Sequence, residues 1–296
     1  MFMAFSCYAN IDYVLTVIQD GEPVEVFSDT VVPLQMHHTD LSLSEDQIKN
    51  LTLFEIEKIL LCNNSSLRNF TTMPYLESIS SSNNRFINEE LAYDISTLKD
   101  EFDNIFLTLT NEQRCVFDDI MEVVQHNKGG VFFVYGYGGP GKTFLWKTLS
   151  AAIRCKGEIV LNVASSRIAS LLLSGGRTAH SRFLIPLNLT EDSICHIKPD
   201  SDVARLLKRT TLIIWDEAPM IHKHAFEALD RTLKDIFCCD NCNNSELLFG
   251  GKVIVFGGDF RQILPVIPNG SRQDIVNASL SSSYIWVKCK EKKRNT

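Results

Sequence analysis

From residue 109 onward, short continuous apolar runs alternate with longer segments whose apolar residues recur every third or fourth position. Continuous runs bounded by polar or glycine residues read as strands buried on both faces. The three-to-four spacing reads as amphipathic helix. On this basis Val131–Tyr135, Glu158–Ala164, Thr211–Trp215 and Val253–Phe256 are predicted strands. Helices are predicted from Lys142 to about Arg154, over Arg167–Leu173, over Val203–Lys208 and over His222–Phe237. The last carries Phe226, Leu229, Leu233 and Ile236 or Phe237 on one face. Thr110 is placed to cap a helix running through Val124, with Glu112 and Gln113 in its first turn. Strands alternating with helices predict an α/β fold: a parallel sheet covered by helices, with ligands at the carboxyl ends of the strands.

Upstream the pattern is weaker. Phe5–Ile18 and Val24–Val32 read as strands joined at Asp20, Gly21, Glu22 and Pro23. Ser44–Leu61 has helical spacing, Cys62–Arg85 is a Ser- and Asn-rich loop, and Asn88–Phe106 is polar and helical in pattern. We expect residues 1–105 to be a smaller N-terminal accessory segment and 106–296 to be the α/β domain.

Candidate chemistry enters at residues 136–143, GYGGPGKT, directly after the first buried strand. This is the Gly-x-x-x-x-Gly-Lys-Thr phosphate-binding loop in its expected setting of strand before and helix after. Gly136, Gly138, Gly139 and Gly141 let backbone N–H groups crowd a polyphosphate. Lys142 would reach the β- and γ-phosphates, and the Thr143 hydroxyl would ligate Mg²⁺. A second motif strengthens the first. The apolar strand ending at Trp215 is followed by Asp216 and Glu217. A carboxylate pair at a strand tip suits Asp216 to hold Mg²⁺ and Glu217 to polarise the attacking water. The expected ligands are therefore ATP and Mg²⁺.

Charge and composition narrow the class further. The chain has 29 basic and 36 acidic residues, net −7, which argues against nucleic-acid binding by bulk charge but leaves room for a local groove. The apolar N-terminus lacks a basic flank and is broken by Asn10 and Asp12, so it is not read as a signal peptide. No apolar stretch approaches the roughly 20 residues of a membrane span. Cys238, Cys239 and Cys242 cluster without a second ligand pair, and free thiols are favoured over zinc.

Longer segments carry a family resemblance: LTNEQRCVFDDI ahead of the phosphate loop, VASSRIASLLLSGGRTAHSRF over Val163–Phe183, IIWDEAPM over Ile213–Met220 and FGGDFRQILPV over Phe256–Val266. Together they resemble the first motor domain of superfamily-one 5′-to-3′ DNA helicases of the Pif type (petite integration frequency), with the plant Helitron-associated versions nearest. The upstream stretch EIEKILLCNNSSLRNFTTMPY looks similar to the segment preceding the motor in those proteins. The resemblance implies a RecA-like P-loop domain that couples Mg·ATP hydrolysis to movement on single-stranded DNA. It also implies links to DNA repair, recombination and telomere maintenance, a nuclear location and a monomer without membrane attachment.

It assigns roles to particular residues. Gln113 matches the adenine-reading glutamine, and Gln262 the γ-phosphate sensor. Lys142, Thr143, Asp216 and Glu217 match the phosphate, metal and water positions. Ser165, Ser166, Thr178, His180 and Ser181 lie in the segment that lines the single-strand channel in the family. A structural role for His180 stays equally open. Arg177 and Arg182 are candidates to add charge there, whereas Trp215 and Met220 read as core.

The chain also departs from the family pattern. Pro140 brings no N–H to the phosphate loop, and Arg167 stands where the relatives usually carry glycine. After Trp286 the family continues into a second motor domain bearing the arginine finger, whereas here only a short basic tail from Lys288 follows. That tail reads as the frayed start of the next domain or as a nuclear-localisation signal. The rival readings are a transposon-derived remnant that binds nucleotide or DNA without unwinding, and a P-loop ATPase with no nucleic-acid role.

Overall fold

The structure, a computed structural model, describes residues 84–136, 141–238 and 247–292. In the N-terminal region it describes Leu53 and the strand backbones at 3–6, 14–19 and 22–27. The expected helix at Ser44–Leu61, apart from Leu53, and nearly all of the loop at Cys62–Arg85 lie outside these residues. So do Gly138, Gly139, Pro140, Cys239 and Cys242.

The chain forms two compact units, Met1–Ser80 and Ser81–Thr296. In the first, strands β1 (Met3–Ser6), β2 (Val14–Gln19) and β3 (Glu22–Phe27) form an antiparallel sheet in sequence order. Gln19 pairs with Glu22 across the β2–β3 connection. The segment Phe5–Ile18, expected to be a strand, contributes to two strands, and β3 begins at Glu22 rather than Val24.

The second unit starts with helices α1 (Arg85–Leu91) and α2 (Ile95–Leu107), where one helix over Asn88–Phe106 was expected. The break has a local cause. The Asp94 carboxylate accepts from the Ser96 N–H (3.0 Å) and from the Ser96 and Thr97 hydroxyls, capping a new helix instead of continuing the old one. Helix α3 (Asn111–Gln125) opens on a capping box: Thr110 Oγ1 accepts from the Gln113 N–H, and Gln113 Oε1 accepts from the Thr110 N–H.

Six strands then build one parallel sheet: β4 (Gly130–Tyr135), β5 (Ile159–Ala164), β6 (Arg177–Thr178), β7 (Thr210–Asp216), β8 (Val253–Gly258) and β9 (Cys289–Lys292), in the order β6-β5-β7-β8-β4-β9. The helices between them are α4 (Gly141–Arg154), α5 (Arg167–Ser170), α6 (Ala179–Phe183), α7 (Asp202–Arg209), α8 (Lys223–Cys238), α9 (Arg272–Ala278) and α10 (Tyr284–Val287). Helix α5 stops at Ser170, short of the expected Leu173.

Two-residue periodicity divides the central strands between two cores. Val131, Phe133, Ile213, Trp215, Ile254 and Phe256 face one side with Phe226 and Leu229 of α8. Phe132, Val134, Leu212, Ile214, Val253 and Val255 face the other, with Phe117 and Ile120 of α3 and Leu145 and Leu149 of α4. Helix α2 adds Phe102 and Phe106, the latter edge-on to Phe117 at 5.4 Å between centroids. Each fully buried side chain of this kind contributes about 1.5–3 kcal/mol, so sheet and helices hold together through both faces. Trp215 is fully buried, as expected for core.

The basic tail corrects an expectation. Cys289–Lys292 is not frayed but forms the edge strand β9, paired in parallel with Val131–Val134 of β4. Glu291 accepts from the Tyr135 hydroxyl (3.1 Å), Lys292 pairs with Asp119, and the Lys290 ammonium lies over the Phe132 ring. No helix among the described residues is long and apolar enough to cross a membrane.

Candidate nucleotide-binding site

The carboxyl ends of β5, β7, β8 and β4 lie side by side. Ala164 registers with Asp216, Trp215 with Phe256, and Tyr135 with Gly258. Backbone bonds extend the tips: the Gly136 N–H donates to the Gly258 carbonyl (3.3 Å), and the Ser165 N–H to that of Asp216 (3.1 Å). At this edge the chain leaves β4 and re-enters as α4 at Gly141, which sets the start of that helix beside the strand tips.

Lys142 is buried, and its aliphatic stem runs over Gly136. A Cβ on Gly136 would overlap Lys142 Cγ and Cδ, so glycine is required for this close approach. The ammonium donates to the Gly136 carbonyl (3.4 Å) and to Glu217 Oε1 (3.3 Å). Glu217 follows β7 in the left-handed region, φ 51° and ψ 38°, ahead of a 3₁₀ turn over Ala218–Met220. A non-glycine residue in that region is uncommon and strained, by roughly 1–3 kcal/mol. The turn swings its carboxylate back over the sheet edge toward Lys142.

Asp216 is buried, and its Oδ1 accepts no hydrogen bond. A buried carboxylate oxygen without a donor fits a hard cation, which takes oxygen ligands. The Thr143 hydroxyl, on the first turn of α4, supplies a second oxygen of the same class. The residues present therefore fit Mg²⁺. Gln113 is buried beside the loop and its Nε2 donates to the Gly141 carbonyl (3.2 Å). With Oε1 on the Thr110 N–H, the amide keeps one donor and one acceptor free for a base edge. Gln262 is exposed in the turn after β8, its N–H on the Asp259 carbonyl (3.0 Å). Among the described residues of the loop, Gly136, Gly141, Lys142 and Thr143 thus gather with Asp216, Glu217 and Gln113.

The channel-segment residues lie along the β5–β6 side of the same edge. Ser165 Oγ accepts from the Trp215 indole (3.2 Å), and Ser166 Oγ caps α5 by accepting from the Ala169 N–H (3.1 Å). Both hydroxyls keep their proton to donate. Thr178 pairs with Ala164 in the sheet and is half-buried, and Ser181 is exposed. Burial lowers the pKa of half-buried His180 below the usual imidazole value, so it is a neutral group at pH 7. Arg177 and Arg182 are both ion-paired, Arg177 partly exposed and Arg182 buried. Arg177 pairs with Glu89 (3.1 Å), and buried Arg182 pairs with Glu90, which also lies 3.6 Å from Arg154. The partners come from α1, far away in sequence, so no local pattern announces them.

Strand order, loop and acidic strand tip define a RecA-like P-loop domain. The chain belongs to the PIF1-like helicase family, whose model matches residues 108–294. Among curated relatives, ATP-dependent DNA helicase PIF4 of Trypanosoma brucei brucei is 29% identical over 150 residues. ATP-dependent DNA helicase Pif1 of Campylobacter jejuni is 28% identical over 180 residues. These alignments take in 49% and 58% of this chain but 18% and 36% of the relatives, so the chain spans well under half of their length. The crystal structure of Pif1 helicase from Candida albicans aligns with a TM-score of 0.50 and 26% identity, covering 64% of this chain and 40% of that one.

Proposed function

We propose that the strand-tip cluster binds and hydrolyses Mg·ATP and that the chain is the first motor domain of an ATP-dependent DNA helicase. The observation that carries this reading is the Lys142–Glu217 pair beside the unpartnered Asp216 oxygen. A cation, a base and a metal-binding oxygen then stand at one edge, next to the start of α4.

Each residue has a task in this reading. Lys142 exchanges Glu217 for the β- and γ-phosphates when nucleotide arrives. Glu217, released from the ammonium, orients the attacking water and takes its proton. Asp216 and Thr143 hold magnesium, which when bound offsets phosphate charge. Gln113 meets the adenine edge through its remaining donor and acceptor. Gln262, in the turn after β8, answers the loss of the γ-phosphate. Ser165, Ser166, Thr178, His180 and Ser181 contact the backbone of single-stranded DNA through hydroxyls and a neutral imidazole, without reading sequence. Residues 1–105 act as an accessory segment.

The test is ATP hydrolysis by the purified chain with and without single-stranded DNA of mixed sequence. Hydrolysis that rises with DNA, and a DNA affinity that falls steeply with salt, are expected. Turnover indifferent to DNA would remove the helicase reading while leaving a nucleotide site.

A further inference from the structure

Trp146 lies four residues after Lys142 on α4, one helical turn along the same face. Its ring is buried, yet its indole N–H has no hydrogen-bond partner. The other tryptophan of the sheet edge differs, since Trp215 Nε1 donates to Ser165. A buried indole N–H normally finds an acceptor. The unpartnered acceptor nearby is Asp216 Oδ1. Both groups flank Gly257 of β8: a Cβ there would overlap Trp146 Cζ2, and would lie 3.3 Å from Trp146 Cε2 and 3.0 Å from Asp216 Oδ1. Glycine at 257 keeps the space between them open. The ring that carries a donor without acceptor and an acceptor without donor therefore border the same small region behind the strand tip.

We propose that Trp146 is a positioning residue for the metal-binding carboxylate. Its indole N–H is the hydrogen-bond donor that fixes the Asp216 side chain when magnesium and nucleotide load. Oδ1 then accepts the indole N–H with one lone pair and keeps the other for the metal, so the carboxylate is held from behind. A fixed outer partner of this kind orients a metal ligand and tightens metal binding. Trp146 touches neither phosphate nor metal and acts only through Asp216. This inference rests on the proposed Mg·ATP site.

The experiment measures ADP affinity by calorimetry, with magnesium and with a chelator, for the parent and for Trp146→Phe. Phenylalanine keeps most of the ring and removes the donor. Without magnesium the two proteins are expected to agree within about twofold. With magnesium the variant is expected to bind roughly tenfold more weakly, the effect of one charge-assisted hydrogen bond. Equal affinity in magnesium would overturn the proposal. So would a parallel loss in both conditions, which marks a packing role. A parent that binds no ADP removes the proposed function itself, a result distinct from either. Should the variant not fold, the parent answers through its indole N–H resonances, the chain having 3 tryptophans. One resonance is expected to move downfield when magnesium is added to the ADP-bound protein. No movement would overturn the proposal.

Discussion

Lys142 and Glu217 form an ion pair at 3.3 Å, joining the first turn of α4 to the residue after β7. The pair links the expected phosphate-binding cation to the expected base. Each group satisfies the other, and on the proposed reading the two separate as ATP binds. Partial exposure of Glu217 keeps the pair's own contribution small.

Replacing Glu217 by glutamine separates binding from chemistry. Nucleotide affinity is expected to stay equal or rise, because the competing carboxylate is gone. Hydrolysis is expected to fall by about 10²- to 10⁴-fold, the typical contribution of a general base. Single-turnover ATP cleavage alongside equilibrium binding reads both quantities. Cleavage at the parent rate would show that another group handles the water.

Gly136→Ala tests the close approach of the lysine stem. The new methyl would occupy the path of Lys142 Cγ and Cδ, and the flexible side chain must move away. The fold is expected to survive and Mg·ADP affinity to drop roughly tenfold, as the ammonium loses its position. Thermal unfolding checks the first part and calorimetry the second. Unchanged affinity would mean that the ammonium needs no fixed stem.

These two predictions rest on residues that local pattern made legible, and the fold was legible for the same reason. Val131–Val134 and Leu212–Trp215 are buried on both faces, so every position is apolar. The Thr110 and Gln113 capping box and the phosphate-loop glycines are signals a few residues long. What stayed hidden depends on distant partners. Strand β9 is a charged edge strand with one neighbour, so burial imposes no alternating pattern on Cys289–Lys292. The pairs of Arg177 with Glu89 and of Arg182 with Glu90 join segments of unrelated position. The placing of Trp146 and Asp216 beside Gly257 needs the sheet to be assembled first. Helix propensity gave no hint of the break at Asp94, where side-chain capping won over continuation.

The depressed pKa of His180 makes stability depend on acidity. Burial lowers the folded-state value, whereas the unfolded chain binds the proton at the ordinary imidazole pKa of 6.5. Below pH 6.5 the unfolded state therefore holds more protons, and stability falls as pH falls. His222, lowered mainly by burial and also by neighbouring His224 and Lys223, acts with the same sign. His180→Gln is expected to flatten, not abolish, the decline as pH falls below 6.5 in urea unfolding series. An unaltered slope would mean that His180 titrates alike in both states.

The most direct measurement is calorimetric titration of a slowly hydrolysed ATP analogue with magnesium into the parent and into Lys142→Ala. Truncation removes the phosphate cation and leaves Glu217 facing the incoming charge. The parent is expected to bind, and the variant to bind at least about a hundredfold more weakly with its melting temperature little changed. Equal affinity in the two proteins would contradict the assignment of this strand-tip cluster as the nucleotide site of the motor.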